Sequence, residues 1–289
     1  MACHVNLAVM SKKNAKVSMP PFVLWLRNVE QVIQGVPELT NVPPQQSRRA
    51  RTLLTGASDT LAQIAVGLDH IRLPAGMFDP ADPRVIGRIV ALAFLAQPRI
   101  ALASLANDRF YGSGIYAIYY NGTFNAYKPI AKKEHPIYIG KANPKLQNAK
   151  SIRDQGEKLA SRLREHFKSV GKAVNLSGAD FDCRFLVVAS GWEEAAEKHL
   201  INLYKPIWNS ETKICFGIGK HGDAPTTRAN KRSPWDTMHS GRAWAADSAK
   251  DQIPEAEIRR LLAIHFKANV PITTQQGAAT RFLKEMSQF

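Results

Sequence analysis

Apolar residues recur at helical spacing in the N-terminal quarter of the chain. One face of the first pattern is formed by Phe22, Leu26, Val29 and Ile33. This pattern stops before Pro37, and a second one runs from about residue 49 to residue 71, beyond a proline-rich linker. The two patterns predict a helical N-terminal extension over residues 1–78, whose role they leave open.

Beyond residue 78 the chain alternates between extended and helical patterns. A helix is predicted from Asp82-Pro83 to about residue 97, because the aspartate can cap it and a proline is tolerated in the first turn. Extended stretches are predicted at residues 114–120, 136–139 and 181–188, and helices at 152–170, 193–204 and 255–267. This order predicts an α+β core over residues 79–270 that includes a basic C-terminal region, followed by a polar tail over residues 271–289.

The charge balance narrows the class of partner. The 289 residues include 39 Lys and Arg against 24 Asp and Glu, so the net charge is +15 at pH 7. Such an excess favours a polyanion such as nucleic acid, through counterion release and long-range attraction. A basic protein without such a partner is the plainer alternative.

Cysteine usage and hydropathy indicate a protein of a reducing cytoplasm. Cys3, Cys183 and Cys215 are far apart and match no zinc-site spacing. The most apolar stretch, residues 89–96, is far shorter than the ~20 residues of a membrane span. No signal peptide is recognisable, and Met10 and Met19 are open as alternative starts.

Two polar residues share one face of the helix predicted at residues 152–170. Arg162 and His166 are four positions apart, beside the apolar stripe that includes Leu159, Leu163 and Phe167. A pair at the edge of the core can project into a cleft. An ordinary solvated face is the alternative interpretation.

Glu197 shares an apolar helical stripe with Ile201 and Tyr204. A carboxylate in that position is unusual unless it is paired or bound to a metal, although it can also be an edge residue with its head in water. Tyr116 and Tyr138 lie on predicted strands, where a tyrosine is usually a core residue with its hydroxyl at the rim.

Glycine and asparagine mark further positions near these residues. Gly114 and Gly140 flank the tyrosine strands and can mark the close approach of the backbone to a ligand. Asn209 follows a helix, where an amide can also simply cap a turn.

Taken together, five stretches resemble the GIY-YIG nuclease superfamily, specifically its type II restriction endonucleases that read a GC-rich palindrome. They are GSGIYAIYY at 112–120, PIYIGKA at 136–142, SRLREH at 161–166, Glu197 with YKPIWN at 204–209, and SPWDTMHSGRAW at 233–244. Two departures from the superfamily pattern match this branch: the long separation of Tyr116 from Tyr138, and His166 where most members carry a tyrosine. The resemblance implies a small, mostly antiparallel three-stranded sheet flanked by helices.

The resemblance also implies a role for each polar residue. Tyr116 would take a proton from the attacking water, with His166 as a relay, and positive charge must activate the phenol because its free pKa is about 10. Glu197 would bind one Mg²⁺ per active site, for which Mn²⁺ can substitute. Arg162 would hold the scissile phosphate, and Tyr138 would orient the phosphate or the water.

The remaining implied roles concern geometry and DNA contact. Asn209 would fix the geometry of the site, and Lys141 would add a phosphate contact. Base readout is assigned to the loop at residues 217–232, with a solvated flexible loop as the alternative. Its candidate residues are Lys220, His221, Arg228, Lys231 and Arg232.

The resemblance therefore predicts a Mg²⁺-dependent, site-specific endonuclease of the bacterial cytoplasm that acts on double-stranded DNA. A palindromic site implies a homodimer, and a cognate DNA methyltransferase is expected in the same system without being a stable partner. CCGCGG is the recognition sequence that the resemblance suggests. The alternatives are a non-catalytic DNA-binding protein with the same fold, and a nicking nuclease of repair or mobile elements.

Overall fold

The computed structural model describes residues 19–36, 42–68, 71, 78–219, 231–246, 248 and 250–286. The chain divides into two compact units, Met1–Leu73 and Pro74–Phe289. The first unit contains α1 (Met19–Gln34) and α2 (Pro44–Leu68), which occupy the two stretches with helical patterns. No residue of α2 is buried.

The second unit is α+β, as predicted. Its elements in chain order are α3 (Pro83–Leu95), β1 (Ile100–Ala101), β2 (Gly114–Tyr120), β3 (Tyr138–Ala142), α4 (Ile152–Gln155), α5 (Lys158–Gly171), β4 (Phe181–Val187), α6 (Glu193–Tyr204), β5 (Lys231–Arg232), α7 (Pro234–Met238), α8 (Ala243–Ala246), β6 (Lys250–Asp251), α9 (Glu255–Ala268) and α10 (Gln275–Met286). None of the helices in the described ranges has both the length and the apolar character needed to cross a membrane.

The main sheet is antiparallel and has four strands, in the order β1-β4-β2-β3. The resemblance implies three strands, and the structure has a fourth. This is β1, a two-residue strand that pairs with Asp182 and Cys183 of β4. Two residues are too few to form a recognisable alternating pattern, so this strand exists only through its pairing with a distant part of the chain. A separate parallel pair joins β5 to β6.

Helices cover both faces of the central strand β2, so all seven of its residues are buried. On one face, Tyr116, Ile118 and Tyr120 join a core that includes residues of α5. On the other face, Ile115, Ala117 and Tyr119 pack in a core with residues of α3, α6 and α10. The sheet therefore holds Tyr116 on the side of α5.

Three predicted boundaries differ from the structure. The strand expected at residues 136–139 is β3, Tyr138–Ala142. The helix expected over residues 152–170 is two helices, α4 and α5, because Gly156 adopts a φ of 69° between them. The expected polar tail contains α10, which contacts α3 and buries Ala278 and Phe282. Only these two residues of α10 are buried, and so small an apolar stripe is easily missed in a polar sequence.

Candidate active site

The site is built around β3, the strand at one edge of the main sheet. Both α5 and α6 contact β3. The antiparallel register sets Gly140 opposite Tyr116 and Tyr138 opposite Ile118. Because directly paired residues share a face of a sheet, Gly140 and Tyr138 lie on the same side as Tyr116, towards α5.

Gly114 and Gly140 permit close packing inside the protein. A Cβ at Gly140 would lie 2.7 Å from the hydroxyl oxygen of Tyr116 and 2.9 Å from the ring of Tyr138. Gly114 has a φ of 152°, and a Cβ there would lie 2.1 Å from the carbonyl oxygen of Leu186. Gly140 therefore allows the close approach of the Tyr116 phenol, and Gly114 that of strand β4. The sequence suggests the approach of a ligand instead.

The rings of Tyr116, His166 and Tyr138 form one cluster. The hydroxyl of Tyr116 lies 2.8 Å from Nε2 of His166, and the ring centroids of Tyr138 and His166 are 4.8 Å apart. Tyr116 is 2% exposed and His166 is 3% exposed. The hydrogen bond allows a proton to pass between phenol and imidazole, in a direction that depends on the imidazole tautomer.

The surroundings keep the Tyr116 phenol protonated in the free protein. Burial raises its pKa well above the ordinary value, and Tyr138 adds to the rise, while the guanidinium of Arg162 lowers it. Burial likewise raises the pKa of Tyr138. The phenol of Tyr116 must therefore give up its own proton, for which the His166 ring is within reach, before it can act as a base.

Arg162 presents its guanidinium to an open hollow beside the ring cluster. The hollow measures about 490 Å³ and is lined by residues that include Lys141, Lys158 and Arg162. The Nη1 atom of Arg162 donates to Oε2 of Glu165 at 2.9 Å, one turn along α5. Such exposed ion pairs contribute little to the free energy of folding. A phosphate anion can therefore replace Glu165 as the partner of the guanidinium.

Glu197 on α6 has an ammonium group as its neighbour. The Nζ atom of Lys141 lies 3.5 Å from Oε2 of Glu197 and 3.2 Å from Oε2 of Glu194. Burial raises the pKa of Glu197, and Lys141 opposes that rise. The pairing of Lys141 with Glu194 is an addition from the structure.

Glu197 could supply one carboxylate ligand to a divalent metal such as Mg²⁺. In the described part of the chain, no group of three or more His, Cys, Asp or Glu could hold a metal ion. Mg²⁺ keeps several waters and needs only one or two carboxylates when phosphate completes its shell. The pairing with Lys141 shows that a cation is stabilised beside this carboxylate.

Asn209 ties β3 to the helix that carries Glu197. Its Oδ1 accepts a hydrogen bond from the N–H of Ile139 at 2.9 Å, and its Nδ2 donates to the carbonyl of Ile139 at 2.8 Å. Asn209 follows α6 in the chain, so it binds the free edge of β3 as a neighbouring strand would. It therefore holds the strand that carries Tyr138 against the segment that follows α6.

A comparison with known families now adds to this geometry. The family model described as the Eco29kI GIY-YIG domain matches residues 108–266, more than half of the chain. The chain belongs to the GIY-YIG type II restriction endonucleases. The resemblance seen in the sequence is thereby confirmed, and membership makes the protein a DNA endonuclease with DNA as its substrate. No curated protein matches the chain.

The DNA-contacting residues expected of this endonuclease are partly within the described ranges. Lys220, His221 and Arg228 lie outside them. Lys231 is exposed, whereas Arg232 donates from Nε to Oδ1 of Asp251 at 2.7 Å. Arg232 therefore serves the pairing of β5 with β6, and Lys231 is the freer of the two for DNA.

A buried network in the endonuclease core escapes sequence analysis. The hydroxyl of Tyr127 lies 2.5 Å from Nε2 of His239 and accepts a hydrogen bond from Nε1 of Trp208 at 2.9 Å. The Nδ1 atom of His239 lies 2.7 Å from Oδ1 of Asn175. These residues are far apart in the chain, so no local spacing could have linked them. Tyr127 is fully buried, so its hydroxyl does not reach the rim of the core.

The stretch at residues 233–244 forms a second buried cluster. Asp236 accepts from Nε of Arg242 at 2.6 Å and from Oγ of Ser233 at 2.5 Å. Arg242 also donates to the carbonyls of Gly217 and Ile218. Asp236 and His239, three positions apart in the chain, thus belong to two separate hydrogen-bond networks.

Proposed function

We propose that the protein is a Mg²⁺-dependent type II restriction endonuclease. It would hydrolyse double-stranded DNA at a specific site and leave 5′-phosphate and 3′-hydroxyl ends. The observation that carries this proposal is the arrangement at β3, where the Tyr116–His166 hydrogen bond, the exposed guanidinium of Arg162 and the carboxylate of Glu197 surround one edge strand. A proton acceptor, a phosphate ligand and a metal ligand are the parts that phosphodiester hydrolysis needs.

In the proposed reaction, a water oxygen attacks the phosphorus as the bond from phosphorus to the 3′ oxygen breaks. The water proton passes to Tyr116, whose own proton passes to His166 along their hydrogen bond. Arg162 holds the non-bridging oxygens of the phosphate and offsets their charge. Bound Mg²⁺, held by Glu197, would stabilise the developing charge on the 3′ oxygen, which is then protonated from solvent.

Symmetry and cofactor use complete the proposal. A palindromic recognition site is cut in both strands by two equivalent subunits, which supports a homodimer. Mn²⁺ would replace Mg²⁺ because it binds the same oxygen ligands. A methyltransferase of the same system would protect host DNA without remaining bound to this chain.

Plasmid cleavage tests the proposal. Supercoiled plasmid incubated with the protein and Mg²⁺ should yield discrete fragments that ligase can rejoin, and no fragments in EDTA. Glu197→Gln should reduce the rate at least about a thousandfold while leaving DNA binding intact, since several kcal/mol of metal stabilisation is lost. Glu255→Gln is the control: Glu255 is an exposed carboxylate on α9 that pairs with Arg259 of the same helix, and this variant should retain most activity.

The same assay separates the alternatives. Intact plasmid with tight DNA binding would favour a non-catalytic DNA-binding protein. Plasmid nicked at scattered positions would favour a repair or mobile-element nuclease. A Glu197→Gln protein that cuts at the wild-type rate would refute the metal role of Glu197.

A further inference from the structure

An exposed ridge lies directly beside the hollow that contains Arg162, which we call the cleft. We use the name ridge for residues 143–150, which follow β3 without a break. On one side, Asn143 and Pro144 line the hollow that contains Arg162. On the other side, the same two residues and Gln147 line a second hollow of about 460 Å³. The ridge therefore separates the cleft from the second hollow.

The base of the ridge is fixed to the sheet. The N–H of Lys145 donates to the carbonyl of Gln155 at 2.9 Å. The buried side chain of Gln155 accepts from the N–H of Ser113 at 2.9 Å and donates to the carbonyl of Val188 at 2.8 Å. Because Ser113 precedes β2 and Val188 follows β4, the ridge keeps a constant position relative to the catalytic strands.

The far end of the ridge has a capping box. Ser151 Oγ accepts from the N–H of Asp154 at 3.2 Å, and Asp154 Oδ2 accepts from the N–H of Ser151 at 3.0 Å. With both ends held, the entropic cost of ordering the ridge against a ligand is reduced.

The side chains at the top of the ridge are not used by the fold. The exposed residues are Asn143, Lys145, Leu146, Gln147, Asn148 and Lys150. Within the described ranges, no hydrogen bond or ion pair engages the side chains of Gln147 and Asn148. Leu146 is 55% exposed between these polar neighbours. Amides, ammonium groups and one aliphatic side chain are the groups that contact base edges and thymine methyls in DNA.

Charge separates the two sides of the ridge. Three cations line the cleft, Arg162, Lys141 and Lys158, against one acid, Glu165, so the net positive charge on that side attracts a phosphate chain. The charged residues that line the second hollow are Glu193, Glu194 and Lys145, so its net charge is negative and it attracts phosphates less than the cleft does. A duplex whose backbone lies in the cleft would therefore present base edges, and not its backbone, to the top of the ridge.

We infer that the ridge enters a groove of double-stranded DNA beside the scissile phosphate, and that Gln147 and Asn148 determine sequence specificity there. This inference rests on the proposed function, because a base-reading element has meaning only for a site-specific enzyme. It places base contacts in a segment other than residues 217–232. Amides pair with adenine through two hydrogen bonds, and lysine pairs with guanine.

The test compares cleavage specificity in full-length protein. Genomic DNA is digested with wild type and with the double variant Gln147→Ala/Asn148→Ala, and fragment ends are sequenced. The variant should accept additional bases at one or more positions of the consensus. Its preference for the consensus site over a one-base mismatch should fall about tenfold to a hundredfold. The melting temperature and the affinity for unrelated DNA should stay unchanged.

Gln276→Ala on α10 is the matched control, because it removes an exposed amide far from β3 in the chain, and its consensus should equal that of wild type. A double variant with the wild-type consensus and discrimination would overturn the inference.

A binding experiment distinguishes failure of the ridge from failure of the proposed function. Full-length Glu197→Gln protein, with and without the double substitution, selects duplexes from a random library. If Glu197→Gln selects a consensus and the added substitutions degrade it, the inference stands even when wild type does not cut. If both proteins select the same consensus equally well, the ridge does not read bases. If neither cutting nor selection occurs with the ridge intact, both proposals are wrong.

Discussion

The hydroxyl of Tyr116 and Nε2 of His166 lie 2.8 Å apart, although 50 positions separate the two residues in the chain. Tyr116 belongs to β2 and His166 to α5. Helix α5 packs against the face of the sheet on which Tyr116 lies. Both side chains are buried, so the bond persists without competition from bulk water. We therefore expect the pair to act as one proton-transfer unit.

Tyr116→Phe and His166→Phe should each slow single-turnover DNA cleavage, by about 10²- to 10⁴-fold, because either change interrupts the proton path. The double variant should be no slower than the slower single variant, since residues that act as a unit lose their effect together. Far-ultraviolet circular dichroism checks that each variant folds. Multiplying losses in the double variant would show that the two residues act separately.

Arg162→Lys should reduce cleavage by about a hundredfold or more, because an ammonium cannot hold a phosphate through two parallel hydrogen bonds. Its melting temperature should not change, since in the described part of the chain the ion pair of Arg162 is made with Glu165 on its own helix. Arg164→Lys is the comparison. Arg164 donates to the carbonyl of Asp108 at 2.5 Å, so its loss should lower the melting temperature and leave cleavage near wild type. The reverse pattern would contradict the assigned role of Arg162.

Asn209→Leu should destabilise the fold by about 2–5 kcal/mol, because it leaves both polar backbone groups of Ile139 buried without partners. Urea denaturation measures this change. In protein that remains folded at low temperature, kcat should fall more than KM rises, since β3 carries Tyr138. A variant with wild-type stability would show that Asn209 does not hold the edge strand.

Acid should unfold the protein in part through its buried histidines. Burial lowers the pKa of His239 to about 3 and that of His135 to about 3. In the unfolded chain both rings bind protons below about pH 6.5, whereas in the fold they stay neutral until about pH 3. Their contribution to stability is therefore complete above pH 6.5 and declines as the pH falls towards 3, by up to about 1.4 kcal/mol per pH unit for each ring.

Urea denaturation between pH 7.5 and pH 4.5 checks this dependence. His239→Gln should be less stable at pH 7.5, because the bonds to Tyr127 and Asn175 are disturbed. Its stability should also fall less steeply below pH 6.5 than that of wild type. An unchanged slope would mean that His239 is not the titrating group.

Local sequence patterns were sufficient to predict the bounds of an element that buries a continuous apolar stripe or run. β2 and α6 have the bounds that the sequence predicts, Gly114–Tyr120 and Glu193–Tyr204, because β2 is one continuous apolar run and α6 carries one apolar stripe. β1 and α10 were not predicted, since each is held by contacts with distant elements, β4 and α3 respectively.

The sequence alone identified the family, the helix shared by Arg162 and His166, and the unusual carboxylate Glu197. These conclusions need only residue order and helical periodicity, which are local properties. The tertiary structure decided how the parts meet: the phenol of Tyr116 fills the space left by Gly140, and Asn209 holds the edge of β3. It also paired Lys141 with Glu197 and joined Tyr127 to His239. Such contacts depend on strand register and on packing across two sheet faces, which no local pattern encodes.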